Sequence, residues 1–151
     1  MSSDIAQIVD YSAVVASRVP GVTAVFGLGG GFYDDPLRPG QGLQPVPEKV
    51  AMPGTHTSDV PDAPEIAPMT QTGTFELVWS VPMRLYVARS RLIDVRRALV
   101  PFYDAYLAAF ARDRTLAGLC SLSHIKSMSV EADDAWAWLA MDLSVQEFVA
   151  W

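Results

Sequence analysis

Reactive side chains are scarce in this chain. One cysteine, Cys120, and two histidines, His56 and His124, are its whole supply of thiol and imidazole. A single cysteine excludes an intramolecular disulfide and any zinc site built on cysteine pairs, which fits a reducing compartment. Basic residues are outnumbered, 11 against 17 acidic, and the net charge of -6 leaves no positive footprint for wrapping nucleic acid or docking on anionic lipid. No apolar run approaches the roughly 20 residues that a membrane span needs. The opening "MSSDIAQIVD" has neither the basic nor the continuous apolar block of a signal peptide. These absences predict a soluble protein made in the cytosol, with no membrane partner and no sequence-specific nucleic-acid partner.

What is abundant is apolar surface. Half of the 151 residues are hydrophobic, enough for the core of one domain, 1–151, and too short a chain for two. Ile5, Ile8, Val9, Ser12, Val15, Ala16 and Val19 recur at helical spacing, with Ser2 or Ser3 as the expected N-cap. Pro20 and Gly21 stop that helix, and Val22–Phe26 reads as a short strand. In Thr74–Ala88 every odd position is apolar, the period of a long strand with one buried face, while Pro82 suggests an edge or a bulge. A second helix, capped by Ser90, follows. It carries Leu92, Val95, Leu99, Phe102, Tyr103, Tyr106 and Phe110 on one stripe, with a kink expected at Pro101. Two strands joined at "EADD" complete the chain, the second burying Leu139, Met141, Leu143, Val145 and Val149. The expected fold is α+β: a mostly antiparallel sheet of about four strands, two helices packed on one face, and a long Pro-rich loop.

That loop spans residues 28–72 and holds eight of the eleven prolines and a local charge of 2 − 6 = −4. Such density of proline excludes regular helix and admits a strand only at a sheet edge; Val46–Met52 is the one short edge strand expected inside it. Its glycines, "GLGGG" from Gly27, invite comparison with a phosphate-binding loop. A Walker loop would open onto a Lys and a Ser or Thr, and a dinucleotide fingerprint would need glycine where Phe32 stands. Asp34 and Asp35 would repel a pyrophosphate, so the glycines are read as backbone hinges and no nucleotide is expected.

Candidate chemistry is sparse. If residues 120–124 are extended, the Cα atoms of Cys120 and His124 stand about 13 Å apart, too far for a nucleophile and its base. His56 with Asp59 and Asp62 lies in the Pro-rich loop and reads as a solvated acidic stretch, since a metal needs preset ligands. Asp133 and Asp134 read as turn residues. No catalytic residue, cofactor or metal is expected.

One cluster opposes the acidic balance: Arg84, Arg89, Arg91, Arg96 and Arg97. Stems covering the core from a solvated helix flank are one reading; salt bridges to the acidic loop of a neighbouring subunit are the other. Tyr86, Trp136, Trp138 and Phe148 fall on the polar-facing side of their strands, an aromatic surplus that marks an interface. The candidate interface is therefore Arg84, Tyr86, Arg89, Arg96, Arg97, Trp136, Trp138 and Phe148.

The N-terminal helix, the long strand, a helix closing in "FARDRTLAGLC" and the pair "SHIKSMSVEADDAWAWLAMDLSVQEFVAW" resemble the tail-terminator (minor tail) proteins of long-tailed bacteriophages. The likeness covers Phe75–Trp151 best, including the D-x-T-L-x-G turn at Asp113–Gly118. It implies a non-enzymatic virion protein, assembled in the host cytoplasm, whose hexameric ring caps the tail tube. Its partners would be itself, the major tail tube protein and a head-side connector or neck protein. Another head-tail completion protein is the alternative within that class; a small-molecule-binding protein or enzyme is the alternative outside it.

Overall fold

The computed structural model describes residues 3–27, 53–69, 73–88, 91–133 and 136–150. Along the chain run α1 (Ile5–Ala16), β1 (Ala24–Phe26), β2 (Thr55–Ser58), β3 (Glu65–Met69), β4 (Thr74–Ala88), α2 (Leu92–Ala111), β5 (Leu122–Ala132) and β6 (Trp136–Ala150). The α+β expectation holds, but among the described residues the sheet has six strands and is mixed. Its order is β1-β2-β4-β6-β5, β1 lies parallel to β2, and β3 also pairs with β4.

The two strands in the middle follow the alternation of their sequences. β4 and β6 pair antiparallel over fifteen residues, from Thr74↔Ala150 to Ala88↔Trp136. Odd positions of both, among them Val81, Met83, Leu85, Leu139, Met141 and Leu143, form one buried cluster with Ile8, Val9 and Val15 of α1 and Val95, Leu99, Tyr106 and Phe110 of α2. Both helices therefore cover the same face. α2 runs through Pro101 without a break. Leu92, placed on its buried stripe by the sequence, is instead exposed at the first turn. The helix begins after Arg91, whose guanidinium binds Asp94; Ser90 lies outside the described residues.

The described part of the 28–72 loop, residues 53–69, contributes two strands to the sheet, joined by an irregular stretch at 59–64. β2 is inserted between β1 and β4, and β3 pairs with the other half of β4's edge. The prolines explain how. β2 contains none, so it can donate on both sides, whereas Pro68 sits in β3, which pairs with β4 alone and leaves the proline an open edge. Gly54, at φ +92°, makes the turn into β2, where a Cβ would stand 2.6 Å from the Gly21 carbonyl oxygen. The strand expected at Val46–Met52 lies outside the described residues.

Pro82 is neither at a sheet edge nor in a bulge. It pairs with Asp142 in mid-strand, and the Pro82 carbonyl accepts from Asp59 N–H at 2.9 Å on the side of β2. Nitrogen and carbonyl of one strand residue point the same way, so the missing N–H faces Asp59, one residue past β2, and the one bond the proline cannot make is the reciprocal bond of that pair, where the β2 ladder ends at Met83. On the far edge β5 bulges between Ile125 and Ser127, which places Lys126 at the irregularity, a feature that discourages edge-to-edge pairing.

Candidate functional site

Of the candidate interface residues, four converge. Tyr86 of β4 and Trp138 of β6 are direct cross-strand partners, and Trp136 follows two residues along on the same face. The Tyr86 ring lies 5.9 Å from Trp138 and 6.2 Å from Trp136, the latter edge-on. Arg84 stacks its guanidinium 5.0 Å from the Trp138 ring centre and donates to the Tyr86 hydroxyl at 3.3 Å. Burial disfavours the Arg84 charge, but the Tyr86 hydroxyl and the carboxylates of Glu131 and Asp59 outweigh it and hold its pKa above the ordinary arginine value.

The expectation that these aromatics face water fails for two of them. Tyr86 is 3% exposed and Trp138 8%, because they bury one another with Trp136 and Ala140 packed alongside. Strand alternation gives only the face of a sheet, not whether large rings on it close over each other. Phe148 shares the face and is 47% exposed, but lies ten residues along β6 from Trp138, about 33 Å away at strand rise. Arg96 and Arg97 are exposed on α2, in the layer that covers the opposite face, so they do not join the cluster. Arg89 lies outside the described residues.

Trp138 leaves one polar group unanswered. Its Nε1–H is buried and finds no acceptor among the described residues. A buried indole N–H without a partner is destabilising, which makes it the feature of this face that calls for explanation.

The helix-covered face contains polar groups that sequence reading missed or misplaced. His56, assigned by the sequence to a solvated loop, is fully buried in β2 beside Leu85. Its Nδ1 lies 2.8 Å from the Tyr106 hydroxyl and its Nε2 2.9 Å from Ser58 Oγ; Ser58 Oγ lies 2.7 Å from Ser12 Oγ, and Ser12 Oγ 2.6 Å from the Val9 carbonyl. A carbonyl only accepts, so the single Ser12 proton goes to Val9 and Ser58 must donate to Ser12. His56 Nε2–H then donates to Ser58, and Nδ1 accepts from Tyr106. The chain of donors puts a proton on Nε2, and burial leaves Nδ1 without one, pushing the His56 pKa down to about 3 and that of Tyr106 above the ordinary phenol value. This resembles a serine–histidine dyad in distances alone: Ser58 and His56 are sealed from solvent, and the serine proton is already committed elsewhere.

Glu147, at a core-facing position of β6, is 5% exposed and fully engaged. Its carboxylate accepts from Ser3 Oγ, from Asp4 N–H at 3.0 Å and from Trp79 Nε1 at 2.8 Å, at the N-terminal end of α1 where a negative charge is favourable. Ser3 is thus no simple cap; it accepts from Ile5 N–H and donates to Glu147. The D-x-T-L-x-G turn is a second anchor for α1. Asp113 accepts from Tyr11 Oη at 2.7 Å, from Arg18 at 3.2 Å and from Ala117 N–H at 2.9 Å, and these partners, the backbone N–H foremost, hold its pKa below the usual carboxylate value.

The remaining candidates stay apart. Cys120 is buried, which pushes its thiol up to about 11, whereas His124 is exposed on β5. Asp133 caps the β5–β6 hairpin, accepting from Trp136 N–H at 2.7 Å, as turn chemistry requires. Gly27 is not among the positive-φ residues; its role is close approach, since a Cβ there would stand 2.5 Å from the Asp10 carboxylate and 3.0 Å from the Asp10 Cα. The glycines from Gly29 onward lie outside the described residues. Among the described residues no three His, Cys, Asp or Glu side chains are placed to share a metal ion, and no helix is long and apolar enough to cross a membrane. Compared with models of protein families and with curated proteins, the chain matches none.

Proposed function

We propose that this chain is a structural subunit of a long-tailed bacteriophage virion, a tail terminator whose ring caps the tail tube and meets the head-side connector. The observation that carries the reading is the second face of the sheet. No helix of the described residues covers it, yet it holds a buried aromatic pair, Tyr86 and Trp138, with half-buried Arg84 stacked on it and one indole N–H lacking an acceptor among the described residues. That donor is itself out of reach from outside, so an adjoining subunit would meet the rim of the cluster, where the half-buried Arg84 favours an acidic partner. The order of elements and the Asp113–Gly118 turn support the reading through their likeness to the family. The side chains that chemistry would recruit are withdrawn: the Cys120 thiol by burial, and the Ser58 and His56 protons by their place in a closed chain.

Mixing the purified chain with tail tubes assembled from a tube protein of the same phage tests this. Electron microscopy should show a disc of density at one tube end, lost in Arg84→Glu. Sedimentation showing only monomer up to millimolar concentration, together with bare tube ends, overturns it. Weak assembly without tubes is compatible, because the tube end supplies contacts that favour the ring.

A further inference from the structure

The outward face of α2 has a pattern that neither the fold nor the proposed ring uses. At 100° per residue, Ile93, Arg97, Val100, Asp104 and Leu107 fall on one stripe pointing away from the sheet. The three apolar members are 49%, 58% and 46% exposed, on a helix whose opposite side is fully engaged in the core. The charged members have no ion-pair partner among the described residues, whose only salt bridges are Arg18–Asp113 and Arg91–Asp94. They cannot pair with each other along the helix, because seven residues of rise separate them by about 10.5 Å.

The stripe is self-complementary when reversed. Turning the helix end for end about Val100 sets Ile93 opposite Leu107, Leu107 opposite Ile93, and Arg97 within one residue of Asp104. Apolar meets apolar and positive meets negative, each contact occurring twice, as a two-fold interface demands. A parallel pairing in register would instead stack Arg97 on Arg97 and Asp104 on Asp104.

We propose that α2 pairs antiparallel with α2 of a second copy about a two-fold axis at Val100, closed by two Arg97–Asp104 ion pairs. A two-fold contact closes at two copies and cannot propagate a ring, so it is distinct from the contacts proposed on the sheet face. It would pair free subunits, or join two rings to each other.

Cysteine crosslinking reads the axis directly. Only a residue on the axis meets its own copy; the Cα atoms of a residue eight positions away would be separated by about 24 Å, beyond the reach of a disulfide. Val100→Cys should therefore give a reducible dimer under mild oxidation at 50–100 µM protein, and Ala108→Cys should not. Cys120, buried with its thiol pushed up to about 11, serves as a silent background. In the otherwise unaltered chain, Arg97→Asp should weaken dimerisation at least tenfold by sedimentation equilibrium, Asp104→Arg likewise, and the double exchange should restore it. These sites are exposed, so folding is preserved and circular dichroism verifies it. Equal crosslinking at positions 100 and 108, absence of a Val100→Cys dimer, or failure of the double exchange to restore association each overturns the proposal. None of these outcomes bears on tube capping, which Arg84→Glu reports separately.

Discussion

Trp79 and Trp138 sit on the two central strands, on opposite faces of one sheet, and their indole N–H groups have opposite fates. On the helix-covered face Trp79 donates to Glu147 at 2.8 Å, and that carboxylate is also held by Ser3 and the Asp4 amide. On the other face Trp138 is buried to a similar depth as the core and donates to nothing described. The helix-covered face is complete within one chain: its buried imidazole, hydroxyls and carboxylate all have partners. The second face closes over its rings without closing its hydrogen bonds.

The largest test of this contrast removes the strand that completes the first face. Deleting Thr55–Ser58 takes away His56 and Ser58 together with the one ladder that, among the described residues, joins β1 to the sheet. It should abolish cooperative thermal unfolding; a shortened chain with a sharp transition would show that this segment is the dispensable loop the sequence suggests.

Acid should attack the first face through His56. Its folded pKa of about 3 lies below the ordinary 6.5, so the unfolded chain takes up the proton first as pH falls. Stability is then full above about pH 6.5 and declines toward pH 3 by about 1.4 kcal/mol per pH unit from this group. Urea unfolding at pH 7, 6 and 5 should show the decline, while the imidazole nitrogen resonances stay those of a neutral ring protonated at Nε2. Protonation of the native ring near pH 6.5 would refute the closed chain.

The two tryptophans give the sharpest pairing. Trp79→Phe deprives the Glu147 carboxylate of a donor and should cost about 1–3 kcal/mol in denaturant melts. Trp138→Phe removes a donor that has no partner among the described residues and should change the free subunit by no more than about 0.5 kcal/mol beyond the small loss of ring volume. Equal costs at the two sites would mean that Trp138 is satisfied within its own chain.

Much of the scaffold is legible from pattern. The alternation from Phe75 to Val87 and from Leu139 to Val149 marks β4 and β6, and helical spacing marks α1 and most of α2, because a side chain's period follows directly from backbone geometry. Legibility fails where a residue's environment is made by distant chain. Proline density hid β2 and β3, although the prolines avoid the one strand that needs donors on both sides. His56 was unreadable because nothing local says that its neighbours in space will be Tyr106, fifty residues away, and Leu85. Glu147 interrupts an apolar series, and that interruption is the one sequence signal that could have marked it as a partnered buried charge.

The sequence by itself determined the class of the fold, the two long strands and which of their faces is buried, the lack of disulfides and the shortage of reactive groups, since these follow from composition and from periods of 2 and 3.6. Only the tertiary structure decided that His56 is neutral and silent, that Tyr86 and Trp138 are hidden while Phe148 is open, and that Arg96 and Arg97 stand on the opposite layer from Arg84. Burial, pKa and hydrogen bonding depend on what comes within a few ångströms, and in a sheet whose order departs from chain order that is settled by long-range pairing.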